Sequence, residues 1–317
     1  MPPDPNTAAG VDAEFPMKDV KGKTAFITGG ASGVGYGMAH AFLSAGMNVV
    51  IADIRDDKLE SACDELKKIG ENIHAITVDI TDRAAMAKAA DETEERFGRV
   101  HMLCNNAGIN VFGPIEDANY DDWDWVMDVN LNSVFNGIKS FLPKIKAHGE
   151  GGHIVNTASM ACIVSGPGAG IYTAAKFGVR GLTESLWYGL VPQGIGVSLV
   201  CPGLVNSNIN NSEEIRPETR AHSGYAENKE FAERLAEVQK MGMDPIEIGE
   251  KILRGILNDD LYILTHPDHQ EEVVRDFEEL LEAFPDEQGD PARIAFEEFR
   301  QKTKYDIKEN FASQKND

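Results

Sequence analysis

The chain lacks any apolar run of transmembrane length, and it is short of basic side chains. Only 30 Lys and Arg stand against 52 Asp and Glu, which gives a net charge of −22 and a pI near 4.7. Such acidity argues against nucleic acid or an anionic membrane surface as a partner. The missing apolar run argues against a membrane anchor. We therefore expect no nucleic-acid partner and no membrane partner.

Cysteine is also scarce, and the spacing of the metal-binding residue types is uninformative. The four cysteines stand in apolar segments without CxxC spacing, which predicts small core residues in a reducing compartment, the cytoplasm; they are Cys63, Cys104, Cys162 and Cys201. The eight histidines form no HxxxH pair and no His/Cys cluster. The sequence thus predicts no metal site. The glycine-rich turn described below lacks the Gly-Lys-Ser/Thr ending of a P-loop, which disfavours ATP hydrolysis.

Apolar strands and amphipathic helices alternate from about residue 24 to residue 201. This alternation predicts βαβ units and a single doubly wound α/β domain, with a parallel sheet covered on both faces. We expect strands at 24–29, 48–53, 73–79, 100–105, 153–158, 195–201 and 261–265, and helices at 34–46, 56–69, 82–97, 121–147, 172–191, 230–241 and 245–258.

Outside the alternating part, three segments differ in composition. Residues 1–17 lack the basic and apolar regions of a signal peptide and predict a disordered leader. Residues 203–244 are long and polar, and because they follow the carboxyl end of a strand they predict a lid on the domain of residues 18–268. Residues 269–317 are acidic with amphipathic spacing, which predicts a helical tail packed on the domain or on a neighbouring subunit.

A glycine-rich turn joins the first strand to its helix. Gly29, Gly33 and Gly35 allow positive φ and let backbone approach a pyrophosphate, while the helix that follows presents free N–H groups. The spacing is G-x-x-x-G-x-G, and a glycine-rich turn alone is weak support. Its position between a buried strand and a helix favours a dinucleotide site.

Asp53 ends the second strand, eighteen residues after Gly35. A carboxylate at this place binds the ribose hydroxyls of an adenosine and repels a 2′-phosphate, so it favours NAD over NADP. Arg55 is a contrary hint, because a guanidinium could neutralise such a phosphate. Ser32 and Ile54 are not basic, and no cationic pocket is predicted. The alternative interpretation of Asp53 is a helix N-cap.

Tyr172 and Lys176 stand four residues apart, on one face of a predicted helix, and Ser159 closes the strand before it. A hydroxyl, a phenol and an ammonium are the parts needed to move a proton on and off an alcohol oxygen. One ammonium about 4 Å from the phenol supplies ~4 kcal/mol at an effective dielectric of ~20. That energy matches a fall of roughly two or three units in the phenol pKa. Burial opposes the fall, so the positive nicotinamide ring of a bound NAD has to help. A helical surface pair and a turn-capping serine are the alternative interpretations.

Together these motifs resemble the short-chain dehydrogenase/reductase family, in its typical-length branch. Ser207 stands where threonine is usual, and it keeps a hydroxyl for the nicotinamide carboxamide, to which the resemblance implies that Val205 offers its backbone. The lid and tail bear a weaker resemblance to bacterial aryl-alcohol, lignin-type Cα-dehydrogenases. The matching positions, in the order of the family, are Thr28-Gly29-(x)3-Gly33-x-Gly35, Asp79, Asn105-Asn106-Ala107-Gly108, Asn130, Ser159, Tyr172-(x)3-Lys176 and Pro202-Gly203-Leu204-Val205-x-Ser207.

The resemblance implies a Rossmann fold with a mostly seven-stranded parallel sheet, NAD as cofactor and a role for each matched residue. Tyr172 would be the general acid/base, Lys176 would tune it and bind the nicotinamide ribose, Ser159 would bind the substrate oxygen, and Asn130 would hold a water beside Lys176. The residues implied to hold the cofactor are Gly29, Ser32, Gly33, Val34, Gly35, Asp53, Asp79, Ile80, Asn106, Ala107, Gly108, Tyr172, Lys176, Pro202, Gly203, Val205 and Ser207.

The resemblance also implies assembly into a homodimer or homotetramer through helices 121–147 and 172–191, with Leu186, Trp187 and Leu190 as candidate interface residues. Candidate residues for the substrate wall, besides the lid, are Ile109, Asn110, Phe112, Met160, Val164 and Val205. Because most of them are apolar, they predict a sizeable apolar or aromatic substrate.

The leading hypothesis is thus an NAD-dependent oxidoreductase that interconverts a secondary alcohol and a ketone. Two alternatives stay open at this stage. An NADP-linked ketoreductase would need a basic residue at position 32 or 54. A catalytically idle dinucleotide-binding regulatory protein would be favoured by loss of Tyr172 or Lys176, and both are present.

Overall fold

A computed structural model describes residues 17–226 and 228–316, apart from the side chains of residue 303 and residues 310–316. Seven strands form one parallel sheet in the order β3-β2-β1-β4-β5-β6-β7. The chain crosses over between β3 and β4, so the two halves of the sheet run outward from its centre. The strands are β1 Thr24–Thr28, β2 Asn48–Asp53, β3 Ile73–Thr77, β4 Met102–Asn105, β5 Gly152–Thr157, β6 Ile195–Cys201 and β7 Tyr262–Leu264.

Ten α-helices accompany the sheet in the described part of the chain. All but one or two residues of the central strands are buried, as expected of a parallel sheet covered on both faces. The helices are α1 Gly33–Ser44, α2 Asp56–Leu66, α3 Arg83–Phe97, α4 Tyr120–Met127, α5 Ser133–Ala147, α6 Gly170–Leu190, α7 Lys229–Gln239, α8 Pro245–Leu257, α9 Gln270–Glu282 and α10 Pro291–Asn316.

Two apolar clusters lie on opposite faces of the sheet because side chains alternate along each strand. Phe26 of β1 belongs to the cluster that α3, α5 and α6 complete, through residues such as Phe141 and Val179. Ile27, the next residue, belongs to the cluster that α1, α2 and α8 complete, through residues such as Phe42 and Ile252. The predicted doubly wound α/β fold is confirmed.

The prediction of one continuous helix at 121–147 is wrong, because the structure divides this segment into two helices. A π-helical turn, Asp128–Asn132, separates α4 from α5. Asn130 lies in this turn, and its side chain binds both backbone groups of Ile109. A bond pattern outside the i to i−4 ladder changes the direction in which residues project. Hydrophobic periodicity did not reveal this turn.

The two ends of the chain differ in how far they were predicted. The leader predicted at residues 1–17 lies outside the described residues except for Met17, which packs partly buried against the core. The tail forms α9 and α10, as its amphipathic spacing predicted. Only parts of it pack on this domain, through Val273 and Ile307, while Phe277, Leu281 and Phe284 are exposed.

The expectation about the subunit interface fails because of how its candidate residues pack. Trp187 and Leu190 are 3 % exposed and lie in the core of this chain, with Leu186 packed against them, so they are not free to form a subunit interface. The exposed apolar residues of α5 and α6 are Phe135 and Phe177. No helix in the described ranges is both long and apolar enough to cross a membrane.

Candidate active site

The turn after β1 is closed by backbone contacts that only glycine permits. Gly29 and Gly33 have φ of 66° and 54°. A Cβ on Gly35 would lie 2.2 Å from the carbonyl oxygen of Gly29, and one on Gly29 would lie 2.8 Å from the Cα of Ala107. These contacts set the first turn of α1 close under the turn, in the geometry that a pyrophosphate site needs.

The amino terminus of α1 is left open to a ligand. Ser32 occupies the N-cap position but makes no side-chain capping hydrogen bond, and the first turn holds no acidic residue. Ser32, Gly33 and Val34 line a cavity at this point. Unpaired N–H groups at the positive end of a helix, facing a cavity, fit the phosphates of a dinucleotide.

Asp53 lies at the carboxyl end of β2, lines the same cavity and is 8 % exposed. Its Oδ1 accepts hydrogen bonds from the backbone N–H of Arg55 at 3.2 Å and from Nε of Arg55 at 3.4 Å. The N-cap interpretation of Asp53 is wrong, because α2 begins at Asp56 with Arg55 as its N-cap residue. Nη2 of Arg55 donates to Ser32 Oγ at 3.3 Å, so the guanidinium lies between Asp53 and the glycine turn.

Asn106 and Ala107 are held against the glycine turn by Thr28. The backbone N–H groups of Asn106 and Ala107 donate to Thr28 Oγ1 at 2.9 and 3.0 Å, and Asn106 Nδ2 donates to the Thr28 carbonyl at 3.0 Å. The segment after β4 is therefore more than the simple turn its composition would allow, since it is tied to the turn after β1. Asp79 accepts from the backbone and hydroxyl of Thr81 and, like Ile80, lines the cavity.

Tyr172 and Lys176 lie on the first two turns of α6, and both line the cavity beside Ser159. Lys176 is 3 % exposed, and its Nζ donates to the Thr157 carbonyl at 3.1 Å and lies 5.4 Å from the centre of the Tyr172 ring. Ser159 Oγ accepts from the backbone N–H of Ala161 at 3.2 Å, so Ser159 does cap a short 3-10 turn, Met160–Cys162. That bond fixes the hydroxyl beside Tyr172.

The electrostatics of this group depend first on burial. Burial raises the pKa of Tyr172 to about 12, partly offset by a hydrogen bond with Ser159. Burial likewise lowers the pKa of Lys176 to about 8. In the protein alone, burial thus outweighs the effect of Lys176 on the phenol, the opposition that the sequence analysis expected, and the help of a positive nicotinamide ring stays a prediction. The physical reason is that Nζ is directed at Thr157, while desolvation penalises both charged forms.

Asn130 lies behind this group and does not line the cavity. It is 1 % exposed, its Oδ1 accepts from the N–H of Ile109 at 2.8 Å, and its Nδ2 donates to the Ile109 carbonyl at 2.8 Å. Its side chain thus positions the segment after Gly108. The predicted water beside Lys176 stays a prediction.

One cavity of about 490 Å³ joins these groups. It is lined by every predicted site residue except Gly35, which lies beneath the turn, and Asn130. At the substrate end Ile109, Asn110, Phe112 and Val205 line it as predicted, whereas Met160 and Val164 are buried elsewhere. Sequence reasoning missed Trp125 and Val129, whereas the lining residues Ile209, Ile215, Leu235 and Gln239 belong to the predicted lid.

The first half of the lid is held on α4 by charged side chains. Nη2 of Arg216 donates to Asp122 Oδ1 at 2.8 Å, and the guanidinium carbon lies 4.5 Å from the centre of the Trp125 ring. The N–H of Gly224 donates to the other oxygen of Asp122 at 2.8 Å. Arg220 pairs with Asp124 and, at 3.1 Å, with Asp128. These contacts cover the cavity from the side of Trp125.

One cluster of metal-ligand type lies elsewhere, before the amino ends of β4 and β5. Atoms of His101, His148 and Glu150 lie within 4.8 Å of one another. Nδ1 of His101 accepts from the N–H of Thr24 at 3.1 Å, and Nε2 faces Glu150 at 2.9 Å. Glu150 also pairs with Lys23 at 3.3 Å and with Arg99. An ion-pair network accounts for this cluster.

Comparison with known proteins agrees with the fold and with the candidate site described above. The short chain dehydrogenase family matches residues 23–217. The chain belongs to the short-chain dehydrogenase/reductase family, oxidoreductases of small-molecule substrates that bind a nicotinamide dinucleotide.

Three relatives show how much of the chain the similarity covers. A C alpha-dehydrogenase of a Sphingobium species is 41 % identical over 276 residues, 87 % of this chain and 90 % of that protein. The 3beta-hydroxysteroid dehydrogenase 2 of Eggerthella lenta is 37 % identical over 65 % of this chain and 80 % of its own. A family member from Burkholderia phymatum, solved in complex with NAD, is 33 % identical with a TM-score of 0.79, over 86 % of this chain and 99 % of its own. These names support oxidation of alcohols or reduction of ketones.

Proposed function

We propose that the protein is an NAD-dependent dehydrogenase that interconverts a bulky apolar or aromatic secondary alcohol and its ketone. One observation carries the proposal. Ser159, Tyr172 and Lys176 line a single cavity that begins at the glycine turn and Asp53 and ends under the lid. A proton-transfer group thus stands between residues suited to a dinucleotide and a pocket with a mostly apolar wall.

The mechanism assigns a proton path to the residues of this chain. When bound, the nicotinamide supplies the acceptor or donor of the hydride. Ser159, fixed by Ala161, donates its hydroxyl hydrogen bond to the substrate oxygen. Tyr172 takes the proton of the alcohol in oxidation and returns it in reduction.

The pKa of Tyr172, about 12 in the protein alone, sets a condition on this step. The phenol acts as a base near neutral pH only when further positive charge is bound beside it. Lys176 lines the cavity beside Tyr172, and a contact of its ammonium with the ribose hydroxyls of the nicotinamide half would place that positive charge in the site. Burial would strengthen each of these interactions, because it removes competing water.

Two observations support NAD as the cofactor. Asp53 is buried at the end of β2 and lines the cavity, where its charge would oppose a 2′-phosphate. A relative has been solved with NAD. The NADP-linked ketoreductase keeps one supporting observation, since Arg55 lies beside Ser32 at the same place.

An aromatic or other bulky alcohol fits the wall of the cavity. The side chains at the substrate end are mostly apolar, and two of them, Phe112 and Trp125, are aromatic. Phe112 also contacts Phe231 of the lid, with ring centres 5.8 Å apart. The names of two relatives refer to a Cα-dehydrogenase and a hydroxysteroid dehydrogenase, both of which suit a bulky substrate.

The test is a panel of alcohols with each oxidised cofactor. Purified protein is mixed with NAD or NADP and with 1-arylethanols, larger aryl alcohols, sterols or short aliphatic alcohols, and the absorbance of the reduced nicotinamide is followed. We expect turnover with NAD that is fastest for bulky aryl alcohols. The Tyr172→Phe variant should lose about 10²- to 10⁴-fold in kcat. No turnover with any alcohol, together with retained cofactor binding, would favour the idle regulatory protein, and absence of both would contradict either interpretation.

We also propose that the protein assembles as a homodimer or homotetramer. Phe135 on α5 and Phe177 on α6 are 53 % and 43 % exposed, and such residues on neighbouring helices favour contact with another subunit. Sedimentation equilibrium at micromolar concentration should give twice or four times the chain mass. A monomer at that concentration would contradict the proposal.

A further inference from the structure

Gln239, the last residue of α7, reaches from the lid to the segment after β6. Its Nε2 donates to the Val205 carbonyl and, at 3.1 Å, to Ser207 Oγ, while its Oε1 accepts from Asn210 Nδ2 at 2.5 Å. The side chain is buried and lines the cavity. The rest of α7 is mostly exposed, so this contact with Val205 and Ser207 distinguishes Gln239 from its neighbours.

The orientation of this amide is determined by its partners. A backbone carbonyl only accepts hydrogen bonds, so the NH₂ group of Gln239 must face Val205. The same NH₂ group then also donates to Ser207, and Asn210 donates to the opposite oxygen. Ser207 Oγ is thereby used as an acceptor, which leaves the hydrogen of this hydroxyl for another partner.

Backbone contacts hold the same segment from the other side. Asn206 N–H donates to the Met243 carbonyl at 3.1 Å, and Met243 N–H donates to the Leu204 carbonyl at 2.9 Å. A Cβ on Gly33 would lie 2.8 Å from Cβ of Ser207, so Ser207 stands directly against the glycine turn. The free hydrogen of Ser207 thus has few directions open to it, and Ser207 lines the cavity.

We propose that Gln239 is a positioning residue for the nicotinamide end of the cofactor. By occupying Ser207 as an acceptor, it commits the serine hydroxyl to donate toward the carboxamide oxygen of the nicotinamide, and it fixes the Val205 backbone that flanks the same group. Gln239 thereby links the lid helix α7 to the residues that flank the nicotinamide. The inference rests on the proposed function, and it adds a residue to the nicotinamide site.

The experiment compares NADH with ADP-ribose, which has the adenosine and both phosphates but no nicotinamide. Dissociation constants of both are measured by calorimetry for wild type, Gln239→Leu, Gln239→Glu and, as a matched control on the exposed face of α7, Glu233→Gln. We expect Gln239→Leu to weaken NADH binding about 3- to 10-fold, the usual effect of lost hydrogen bonds, and to leave ADP-ribose binding unchanged. Gln239→Glu should weaken NADH further, because a carboxylate faces the Val205 carbonyl and accepts the serine hydrogen.

A double-mutant cycle with Ser207→Ala separates positioning from simple packing. If Gln239 acts through Ser207, the loss caused by Gln239→Leu should shrink in the Ser207→Ala background. Equal loss for NADH and ADP-ribose, or a loss in Glu233→Gln as large as in Gln239→Leu, would overturn the inference. If the wild type binds ADP-ribose as tightly as NADH, the nicotinamide adds no net affinity and the inference about Gln239 fails, whereas the proposed function is decided separately by turnover in the alcohol panel.

Discussion

The two ends of the cavity are built in different ways. Around the glycine turn the walls are backbone, and Gly29, Gly35 and Ala107 approach so closely that a single added carbon collides. Over the substrate end the walls are side chains of the lid and α4, held by Arg216, Asp122 and their neighbours. The dinucleotide end therefore tolerates little change, whereas the lid can vary as long as its ion pairs persist.

The two ends of the cavity also differ in the kind of contact on which each depends. The close backbone contacts at the glycine turn need one residue type, so they can be recognised as a motif in the sequence. The contacts of the lid join residues about a hundred positions apart, such as Gly224 with Asp122, and several side-chain types could supply them. Four changes would break or sharpen this contrast.

The largest effect is expected for Gly35→Ala. Its Cβ would lie 2.2 Å from the Gly29 carbonyl oxygen and 2.6 Å from Asn106 Nδ2, so the turn must move. We expect about 3 kcal/mol or more of lost stability and loss of NADH binding. Gly189→Ala is the matched control, since nothing lies within 4 Å of its Cβ position, and a helical alanine should stabilise by about 0.5–1 kcal/mol. Chemical denaturation measures the free energy of unfolding of both variants. If both variants gain or both lose stability, the close packing at Gly35 is not what distinguishes the two positions.

Arg216→Met tests the lid in the same way. The side chains of Arg216 and Asp122 are 7 % and 0 % exposed, and removing one partner leaves a buried carboxylate. We expect a loss of about 2–4 kcal/mol, less than a fully broken pair gives, because backbone N–H groups of Asn119 and Gly224 still bind Asp122. Arg220→Met removes only exposed pairs and should change stability by less than about 1 kcal/mol. KM for the alcohol should rise more in Arg216→Met, and unchanged kinetics would show that the lid contact does not shape the pocket.

Asp53→Asn should change which cofactor is preferred. The variant removes the charge that opposes a 2′-phosphate and releases Arg55, whose guanidinium already lies beside Ser32. We expect the ratio of NADPH to NADH affinity to rise about tenfold, measured by fluorescence titration. Adding Arg55→Gln should remove the gain in NADPH affinity. If the ratio does not move in the single variant, Asp53 does not set the preference.

Lys176→Met should make the protein inactive yet more stable near neutral pH. Burial lowers the pKa of Lys176 from 10.5 to about 8, so the folded state carries an ammonium that is more costly than in the unfolded chain. A depression of this size corresponds to roughly 3 kcal/mol, which loss of the bond to Thr157 reduces to about 1–2 kcal/mol of net gain.

The sign of this gain fixes its pH dependence. Between about 8 and 10.5 the unfolded state binds more protons than the folded state, so stability of the wild type rises with pH. The advantage of the Met variant should shrink across that window, as followed by thermal unfolding at several pH values. An advantage that grows with pH would show that Lys176 is not desolvated.

Most of the residues that the motifs assign to the cofactor line one cavity, and their roles toward a dinucleotide stay predictions. Gly29, Asp53 and Lys176 all line the cavity where the motifs implied. A parallel sheet covered on both faces followed from the alternation of buried strands and helices, whereas the order of its strands was not predicted. The π-turn at Asn130 was missed, because a single changed backbone bond pattern leaves no trace in hydrophobic periodicity.

The substrate end was predicted far less. Gln239 looked like an ordinary polar helix residue, and nothing local to it indicates the contacts with Val205 and Ser207. The sequence analysis expected burial to oppose ionisation of Tyr172, but not by how much, since burial depends on the whole fold while the Tyr–Lys spacing is visible in five residues. Long-range packing decided both cases.

The most direct test of the account follows the hydride itself. A 1-arylethanol that the panel shows to be oxidised is prepared with deuterium on the carbinol carbon and incubated with NAD and the wild-type protein, and the nicotinamide is examined by mass spectrometry and proton NMR. The account predicts one deuterium on C4 of the reduced nicotinamide, and loss of labelling by about 10²-fold or more in Tyr172→Phe. Reduced nicotinamide without deuterium, or labelling that Tyr172→Phe leaves unchanged, would contradict it.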